Sequence, residues 1–175
     1  MNLYFRLLIA LLRGFFKPKM AVTSTLIREM RVWPNDIDIN MHMNNGRYMT
    51  ITDLFMIELC LRAGILVPAM KMGWKPMLGG SLVVYKKQLA TFDRYTAEFR
   101  ICCWEENWTY FEFAFLNSAG EVVVTGYSKG AWVGRRGLVP NTVVEEKLGI
   151  APNTTAIPDA IMRWREAEAQ VLQKA

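Results

Sequence analysis

The chain has 175 residues, and 52% of them are hydrophobic, which suits the buried core of one ordinary domain and excludes a disordered protein. Its net charge of +5 comes from one end, because residues 1–20 hold four basic residues and no acid, while the other 17 basic residues nearly balance 16 acids. A nucleic-acid-binding protein carries its positive charge on the folded body, so the composition argues against a nucleic-acid partner.

Residues 1–20 predict a basic, amphipathic helix. In a helix, Arg6, Arg13 and Lys17 fall on one narrow side and mostly apolar residues cover the rest. The leucine-rich run between the two arginines is too short to span a bilayer, which takes about 20 apolar residues. The pattern favours attachment to a membrane surface through residues 1–19. A helix packed on the domain or on a dimer partner, and a secretory signal, are the alternatives.

A strand predicted at residues 25–33 leads into residues 36–48, where the polar side chains of chemical interest are concentrated. Asp38, Asn40 and His42 are spaced by two, so an extended backbone would project all three to one side. The histidine is the only one in the chain. This segment therefore places an acid, an amide and an imidazole immediately before the next predicted element.

That element is a helix over residues 45–63, because apolar residues recur there at intervals of three and four and Gly64 can end it. Asn44 and Asn45 are suited to the start of a helix. The apolar positions are spread widely around the helix axis. We therefore expect a sheet to surround this helix on several sides.

The hydrophobic period then changes to two, which predicts strands at residues 81–89, 95–104, 108–116 and 121–133. Short connections between them predict antiparallel neighbours in chain order. Two further helices are expected at residues 143–148 and 158–173. The fold class is α+β, with an antiparallel sheet wrapped around one long central helix. We divide the chain into an amphipathic leader helix (1–20), one folded domain (21–137) and a C-terminal helical extension (138–175).

The cysteines do not indicate disulfides or a metal site. Their number is odd, and Cys102 and Cys103 should face opposite sides of a strand, while Cys60 lies in the predicted helix. This favours a reducing compartment, and we expect a cytoplasmic protein, peripheral to the inner membrane face if the leader binds lipid. One histidine and no Cys-x-x-Cys pair leave too few ligands for zinc, so no metal is expected.

Residues 38–45, Asp-Ile-Asn-Met-His-Met-Asn-Asn, resemble the Asp-x-Asn-x-His-x-Asn-Asn signature of acyl-carrier-protein thioesterases and their 4-hydroxybenzoyl-CoA-thioesterase-like relatives. The order of elements over about residues 22–134 resembles the hotdog fold of that family. A weaker similarity lies in residues 84–89, on the strand where those enzymes carry a further site residue, commonly Glu. This chain has Gln88 there.

The resemblance implies hydrolysis of acyl-CoA or acyl-carrier-protein thioesters without a metal or redox cofactor. It also implies a homodimer or a dimer of dimers, with each active site at a subunit interface. Two alternatives stay open. One is an enoyl-thioester hydratase of the same fold, whose signature has a proline that this chain lacks. The other is a non-catalytic acyl-CoA-binding or scaffold protein, suggested by Gln88 and by the leader.

Each polar residue of the motif has a chemical role and a structural alternative. Asp38 is the candidate nucleophile or general base. His42 can orient a carboxylate, bind the carbonyl oxygen or transfer a proton, although a lone histidine is often structural. Asn40 and Gln88 cannot act as acid or base, so their possible role is to hold water or the Asp38 carboxylate, with a structural amide of a turn or sheet as the alternative. Asp36, which follows Pro-Asn, is better suited to turn formation.

The thioester oxygen becomes negative during attack, and the backbone N–H of Met43 or Asn44, at the helix start, is the expected donor to it. Further residues expected at the substrate are Asn45, Tyr48, Lys86, Lys87, Arg135 and Arg136. The four basic residues would meet the phosphates of coenzyme A, with an ordinary solvated surface as the alternative. An acyl channel or plain core packing is expected for Met70, Met72, Trp74 and Met77.

Overall fold

The computed structural model describes residues 3–152 and 155–173 as a six-stranded antiparallel sheet around a central helix. The helices are α1 (Leu3–Phe16), α2 (Asn45–Arg62), α3 (Leu66–Lys71), α4 (Asn141–Leu148) and α5 (Asp159–Leu172). The strands are β1 (Leu26–Arg31), β2 (Lys75–Tyr85), β3 (Arg94–Glu105), β4 (Trp108–Asn117), β5 (Val122–Gly134) and β6 (Gly137–Val139). The α+β architecture is therefore confirmed, with α3 and β6 as elements that the sequence did not predict.

The strand order is β1-β3-β4-β5-β2, with the short β6 also paired to β5. The predicted meander of β3, β4 and β5 is confirmed. The prediction that β2 neighbours β3 is wrong, because β2 pairs with β5, from Lys75 opposite Val133 to Tyr85 opposite Val124. The chain after β2 leaves the sheet to contact the segment before α2, and a hairpin to β3 does not form. The long strand β2 is therefore an edge of the sheet.

The core lies between α2 and the sheet. Ile51, Phe55 and Leu59 of α2 are buried, and so are Phe99 and Phe111, whose rings stack at 5.4 Å on neighbouring strands. Each side chain of this size that is fully buried contributes about 1.5–3 kcal/mol to folding. The wide spread of apolar positions on α2 thus reflects a helix that packs against the sheet on one side and against α1 on another, so the prediction that a sheet surrounds it on several sides is confirmed only in part.

The helix α1 packs along α2. Gly14 meets Leu61 so closely that an added Cβ would lie 2.5 Å from Leu61 Cδ1, so only glycine fits this contact. Near the other end of α1, Arg6 is 5% exposed and forms an ion pair with Asp36. The alternative of a helix packed on the domain is therefore observed. In residues 3–152 and 155–173 no helix is both long and apolar enough to cross a membrane.

The C-terminal helices also pack on the sheet. In α5, Ile161 is fully buried, and Glu168 pairs with the buried Lys129 of β5. The Lys129 ammonium lies 4.3 Å from the ring centre of Trp108 and 5.8 Å from that of Trp164. A lysine held by two indoles and a carboxylate fixes α5 on the sheet.

The prediction that Cys102 and Cys103 face opposite sides of a strand is wrong. A β-bulge in β3, between Ile101 and Cys103, breaks the alternation and brings the two sulfur atoms to 3.8 Å. Both thiols are free, as is that of Cys60, whose pKa burial raises to about 12.

Candidate active site

Residues 37–43 form a tight turn immediately before α2. Ile37 and Met43 pair as an antiparallel bridge, and the N–H of Asp38 donates to the carbonyl of His42 at 3.0 Å. At the tip, Met41 takes a left-handed backbone (φ 63°), and the N–H of Asn40 donates to Asp38 Oδ1 at 2.9 Å. The backbone is thus folded rather than extended. It brings Asp38 and His42 together across the turn and leaves Asn40 at its exposed tip.

Asp38 and His42 form the chemical centre of this turn. His42 Nδ1 lies 3.7 Å from Asp38 Oδ1, and the two side chains are 27% and 21% exposed. This distance allows charge interaction or a bridging water but is too long for a direct hydrogen bond. Among the described residues, the one hydrogen bond to the Asp38 carboxylate, from the N–H of Asn40, goes to Oδ1, which leaves Oδ2 without a donor.

The turn is held on both sides by the main chain. The N–H of Asn44 donates to the carbonyl of Asp36, and that of Met43 to the carbonyl of Leu89, both at 2.8 Å. Asp36 is 1% exposed, and its Oδ2 accepts the N–H of Trp33 at 3.0 Å and binds Arg6. Asp36 therefore acts as a turn residue, as its sequence position suggested. Its partner Arg6 was missed, because the two residues are 30 positions apart.

The predicted oxyanion donors have to be corrected. The N–H groups of Met43 and Asn44 are both bonded to carbonyls, and that of Gly46 donates to Asn44 Oδ1 at 2.9 Å in the helix cap. Within residues 3–152 and 155–173, no acceptor is bonded to the N–H of Asn45, the first residue of α2. This amide, one residue further along, is the open donor at the helix start.

Tyr48 is not available to a substrate. Its side chain is 2% exposed, and its ring packs edge-on against Phe115 at 5.0 Å and Tyr85 at 5.9 Å. Burial raises its pKa to about 12. The prediction of a substrate contact was wrong because the first turn of α2 already faces the sheet. Asn45 remains exposed, and its carbonyl accepts the hydroxyl of Tyr85 at 3.3 Å.

Gln88 lies in the segment that runs beside the turn. Its neighbour Leu89 accepts the N–H of Met43, and Ala90 forms a bridge with His42. The side chain of Gln88 is exposed. The two segments that carry the resemblance are thus next to each other in space, although 46 residues separate Gln88 from His42 in the sequence.

The four basic residues expected at coenzyme A do not form one group. The N–H groups of Lys86 and Lys87 donate to the carbonyl of Val123, near the start of β5, whereas Arg135 and Arg136 follow its end at Gly134. At roughly 3.3 Å per residue, a strand of this length separates the pairs by roughly 35 Å. In a single subunit, they therefore cannot bind the same phosphates.

Two cavities stand out in the described residues, and neither is lined by Asp38 or His42. An open cleft of about 830 Å³ lies between α1, α2 and the β1 edge, with Arg6 and Tyr95 among its walls. An apolar cavity of about 60 Å³ lies near the C-terminal end of α2, beside Cys60 and Met77. These cavities provide no acyl pocket at Asp38 within one subunit.

The expected methionine channel is therefore not formed. Met77 lines the smaller cavity, which is too small for an acyl chain. Met70 and Met72 are exposed, and Trp74 packs in a small cluster around Trp132. The prediction grouped these side chains by their sequence positions, whereas Met70 in α3 and Met72 just after it face solvent.

Comparison with known proteins identifies the family. Residues 32–165 match the model of the thioesterase-like superfamily, and the chain belongs to this superfamily. The match includes the polar turn, the strands β2 to β6 and part of α5, and it begins just after β1.

Individual relatives match part of their length. Protein THEM6 of Xenopus laevis is 23% identical over 133 residues, which are 76% of this chain and 63% of that protein. Protein THEM6 of Danio rerio is 27% identical over 63% of this chain and 55% of that protein. Thioesterase lcsJ of Purpureocillium lilacinum is 28% identical over 59% of this chain and 42% of that protein. The chain thus spans between 42% and 63% of these curated relatives.

Solved structures share the fold. A hypothetical protein of Staphylococcus aureus in complex with CoA superposes with a TM-score of 0.62 at 14% identity, covering 82% of this chain and 95% of that chain. A 1,4-dihydroxy-2-naphthoyl-CoA thioesterase from Synechocystis has a TM-score of 0.62 at 8% identity, and the superposition covers 71% of this chain and 95% of that chain. A probable thioesterase from Bartonella henselae has a TM-score of 0.58 at 16% identity, and the superposition covers 67% of this chain and 97% of that chain. The fold is the hotdog fold.

Proposed function

We propose that this protein hydrolyses acyl thioesters, with Asp38 as the nucleophile or general base. The observation that carries the proposal is the accessible Asp38 carboxylate, 3.7 Å from His42 and directly before α2, in a chain of the thioesterase-like superfamily. The superfamily supports thioester chemistry in general. The choice between a coenzyme A and a carrier-protein thioester follows from the assays below.

The mechanism uses groups that surround the turn. Asp38 Oδ2 attacks the thioester carbonyl, or removes a proton from a water that attacks it. The carbonyl oxygen gains a negative charge, which the N–H of Asn45 at the start of α2 stabilises; one such donor contributes about 3 kcal/mol. The C–S bond then breaks, and the sulfur leaves as a thiol after taking a proton from His42 or water. On the nucleophilic route, water hydrolyses the acyl-aspartyl anhydride and regenerates Asp38.

We further propose a homodimer formed through β2. This strand is a free edge, and Met77, Leu78, Leu82, Val84 and Tyr85 on it are exposed. Long apolar edge strands favour pairing with another chain. Antiparallel pairing of two β2 strands would place the Lys86 end of one subunit beside the Arg135 end of its partner. The basic pairs that lie apart in one subunit would then approach each other across the interface.

The exposed tip of the turn supports this arrangement. Ile39 is 95% exposed and Met41 is 66% exposed, on either side of Asn40. Apolar side chains so close to a reactive carboxylate fit a surface covered by a second subunit or by substrate. A partner subunit would also supply the missing wall of the acyl pocket at Asp38.

The test is thiol release from acyl-CoA and acyl-carrier-protein esters of graded chain length. We expect Asp38→Asn to lower kcat at least a hundredfold with little change in acyl-CoA affinity, because the amide cannot attack or accept a proton. His42→Ala should have a smaller but clear effect. Asp53→Asn is the matched control, since Asp53 is an exposed carboxylate on α2 away from the turn. Full activity in Asp38→Asn would eliminate this mechanism.

A non-catalytic acyl-CoA-binding protein is the second candidate. It is favoured by Gln88, which replaces a second carboxylate, and by the absence of Asp38 from the walls of both cavities. Calorimetric binding of acyl-CoA without thiol release at any chain length would establish it over hydrolysis. Loss of enoyl absorbance without thiol release would instead indicate a hydratase.

A further inference from the structure

The outward side of α1 is apolar along its length. Large hydrophobic residues recur on it, and six of them keep between 47% and 81% of their surface exposed: Tyr4, Phe5, Leu8, Leu12, Phe15 and Phe16. The helix is roughly 21 Å long, so these side chains form one continuous patch. Contiguous exposed apolar patches of this kind usually mark a binding surface.

The orientation of α1 is fixed by its polar side. Arg6 is buried against the domain and paired with Asp36, and Gly14 is pressed against Leu61. After the helix ends, Arg62 Nε donates to the carbonyl of Pro18 at 2.9 Å. The helix therefore cannot turn its apolar side inward without breaking these contacts. The usual arrangement of a surface helix, with its apolar side on the core, is reversed.

The charge around this patch is positive. Residues 1–28 contain no Asp or Glu. Lys17 and Lys19 follow α1 and are exposed, and neither has an ion-pair partner among the residues that the structure describes. Aromatic side chains lie at both ends of the patch, which suits the boundary between headgroups and acyl chains.

We infer that the outward face of α1 docks on the surface of a bilayer containing anionic phospholipids. The apolar side chains enter the acyl boundary, and Lys17 and Lys19 bind the headgroup phosphates. A second copy of this chain is a poorer fit, because it would bring the same acid-free segment against itself without any balancing charge. The inference is independent of the proposed hydrolase activity.

The test is flotation of the full chain with vesicles of phosphatidylcholine alone or with 30% phosphatidylglycerol. We expect binding to the anionic vesicles that weakens as salt rises, since exposed charges are screened. Leu8→Asp/Leu12→Asp should reduce the partition coefficient at least tenfold, because it places two acids in the apolar face. Lys17→Glu/Lys19→Glu leaves α1 unaltered and should lower the ratio of binding to anionic vesicles over binding to phosphatidylcholine vesicles at least tenfold.

The matched control is Val171→Asp/Leu172→Asp, which makes the same kind of change at two exposed aliphatic residues of α5 and should change binding less than twofold. Circular dichroism checks that each variant is folded. Absence of binding by the unaltered chain, or an equal loss in the control, would overturn the inference. So would sedimentation showing that Leu8→Asp/Leu12→Asp converts a dimer into a monomer, since the face would then hold a second copy.

Discussion

Replacing Arg6 with methionine would test whether α1 holds the turn that carries Asp38. The guanidinium of Arg6 pairs with the carboxylate of Asp36, and the side chains are 5% and 1% exposed. Asp36 also accepts the N–H of Trp33 through its side chain and that of Asn44 through its carbonyl. Methionine keeps the length and most of the bulk of arginine, so the change removes the charge without opening a large cavity.

The structure sets the magnitude. Removing one partner of a buried ion pair costs about 3–5 kcal/mol, because the other charge stays buried without its counterion. Arg47 Nε lies 3.9 Å from Asp36 Oδ1, so Arg47 would still balance part of the negative charge of Asp36. We therefore expect Arg6→Met to lower the free energy of unfolding by about 3 kcal/mol. It should also lower kcat, since movement of Asp36 releases the turn at Asn44.

Urea unfolding monitored by tryptophan fluorescence measures the effect. In the double variant Arg6→Met/Asp36→Asn neither charge is left unpaired. The double variant should therefore lose about 2 kcal/mol less free energy of unfolding than the two single variants lose in sum. Lys87→Met is the control, because the Lys87–Glu121 pair is exposed on both sides, and it should leave unfolding unchanged. A loss below about 1 kcal/mol for Arg6→Met, or additive losses in the double variant, would refute the proposed role of the pair.

Three further outcomes are expected. Gln88→Glu should add an ionisation to the pH profile of kcat and raise turnover, because it restores a second acid beside the turn; an unchanged profile would place Gln88 outside the site. Gly126→Ala should be the most damaging glycine substitution in the sheet, since its Cβ would lie 2.1 Å from the carbonyl oxygen of Leu82, and circular dichroism should show loss of folding at 37 °C. The thiol of Cys60, buried and with a pKa raised to about 12, should react with iodoacetamide at pH 8 only after unfolding, whereas rapid labelling of the native chain would contradict its burial.

Local patterns predicted most elements well. The helix α2 and strands β3, β4 and β5 lie within one or two residues of their predicted limits, because periodicity and turn residues are properties of the local sequence. The start of β2 was missed because Pro76, Gly79 and Gly80 argue against a strand. Its edge position tolerates the proline, and the ring of Trp108 occupies the space beside Gly79, where a Cβ would lie only 2.1 Å away.

The sequence could predict only those features of the candidate site that depend on residues close together in the chain. The sequence predicted that Asp38 and His42 share one side of an extended backbone, whereas the turn around Met41 is what brings Asp38 Oδ1 and His42 Nδ1 to 3.7 Å. The burial of Tyr48 depends on the ring of Phe115, which lies far along the chain. The separation of Lys86 from Arg135 likewise depends on the pairing and length of β5.

The helix α1 shows which features the local sequence determines and which depend on the tertiary structure. By itself, the sequence determined that residues 3–16 form a helix with a narrow basic side and a wide apolar side, because side-chain positions around a helix follow from its 3.6-residue period. Only the tertiary structure decided which side faces the domain. The buried carboxylate of Asp36 attracts Arg6 inward, and an ion pair between residues 30 positions apart leaves no trace in local periodicity.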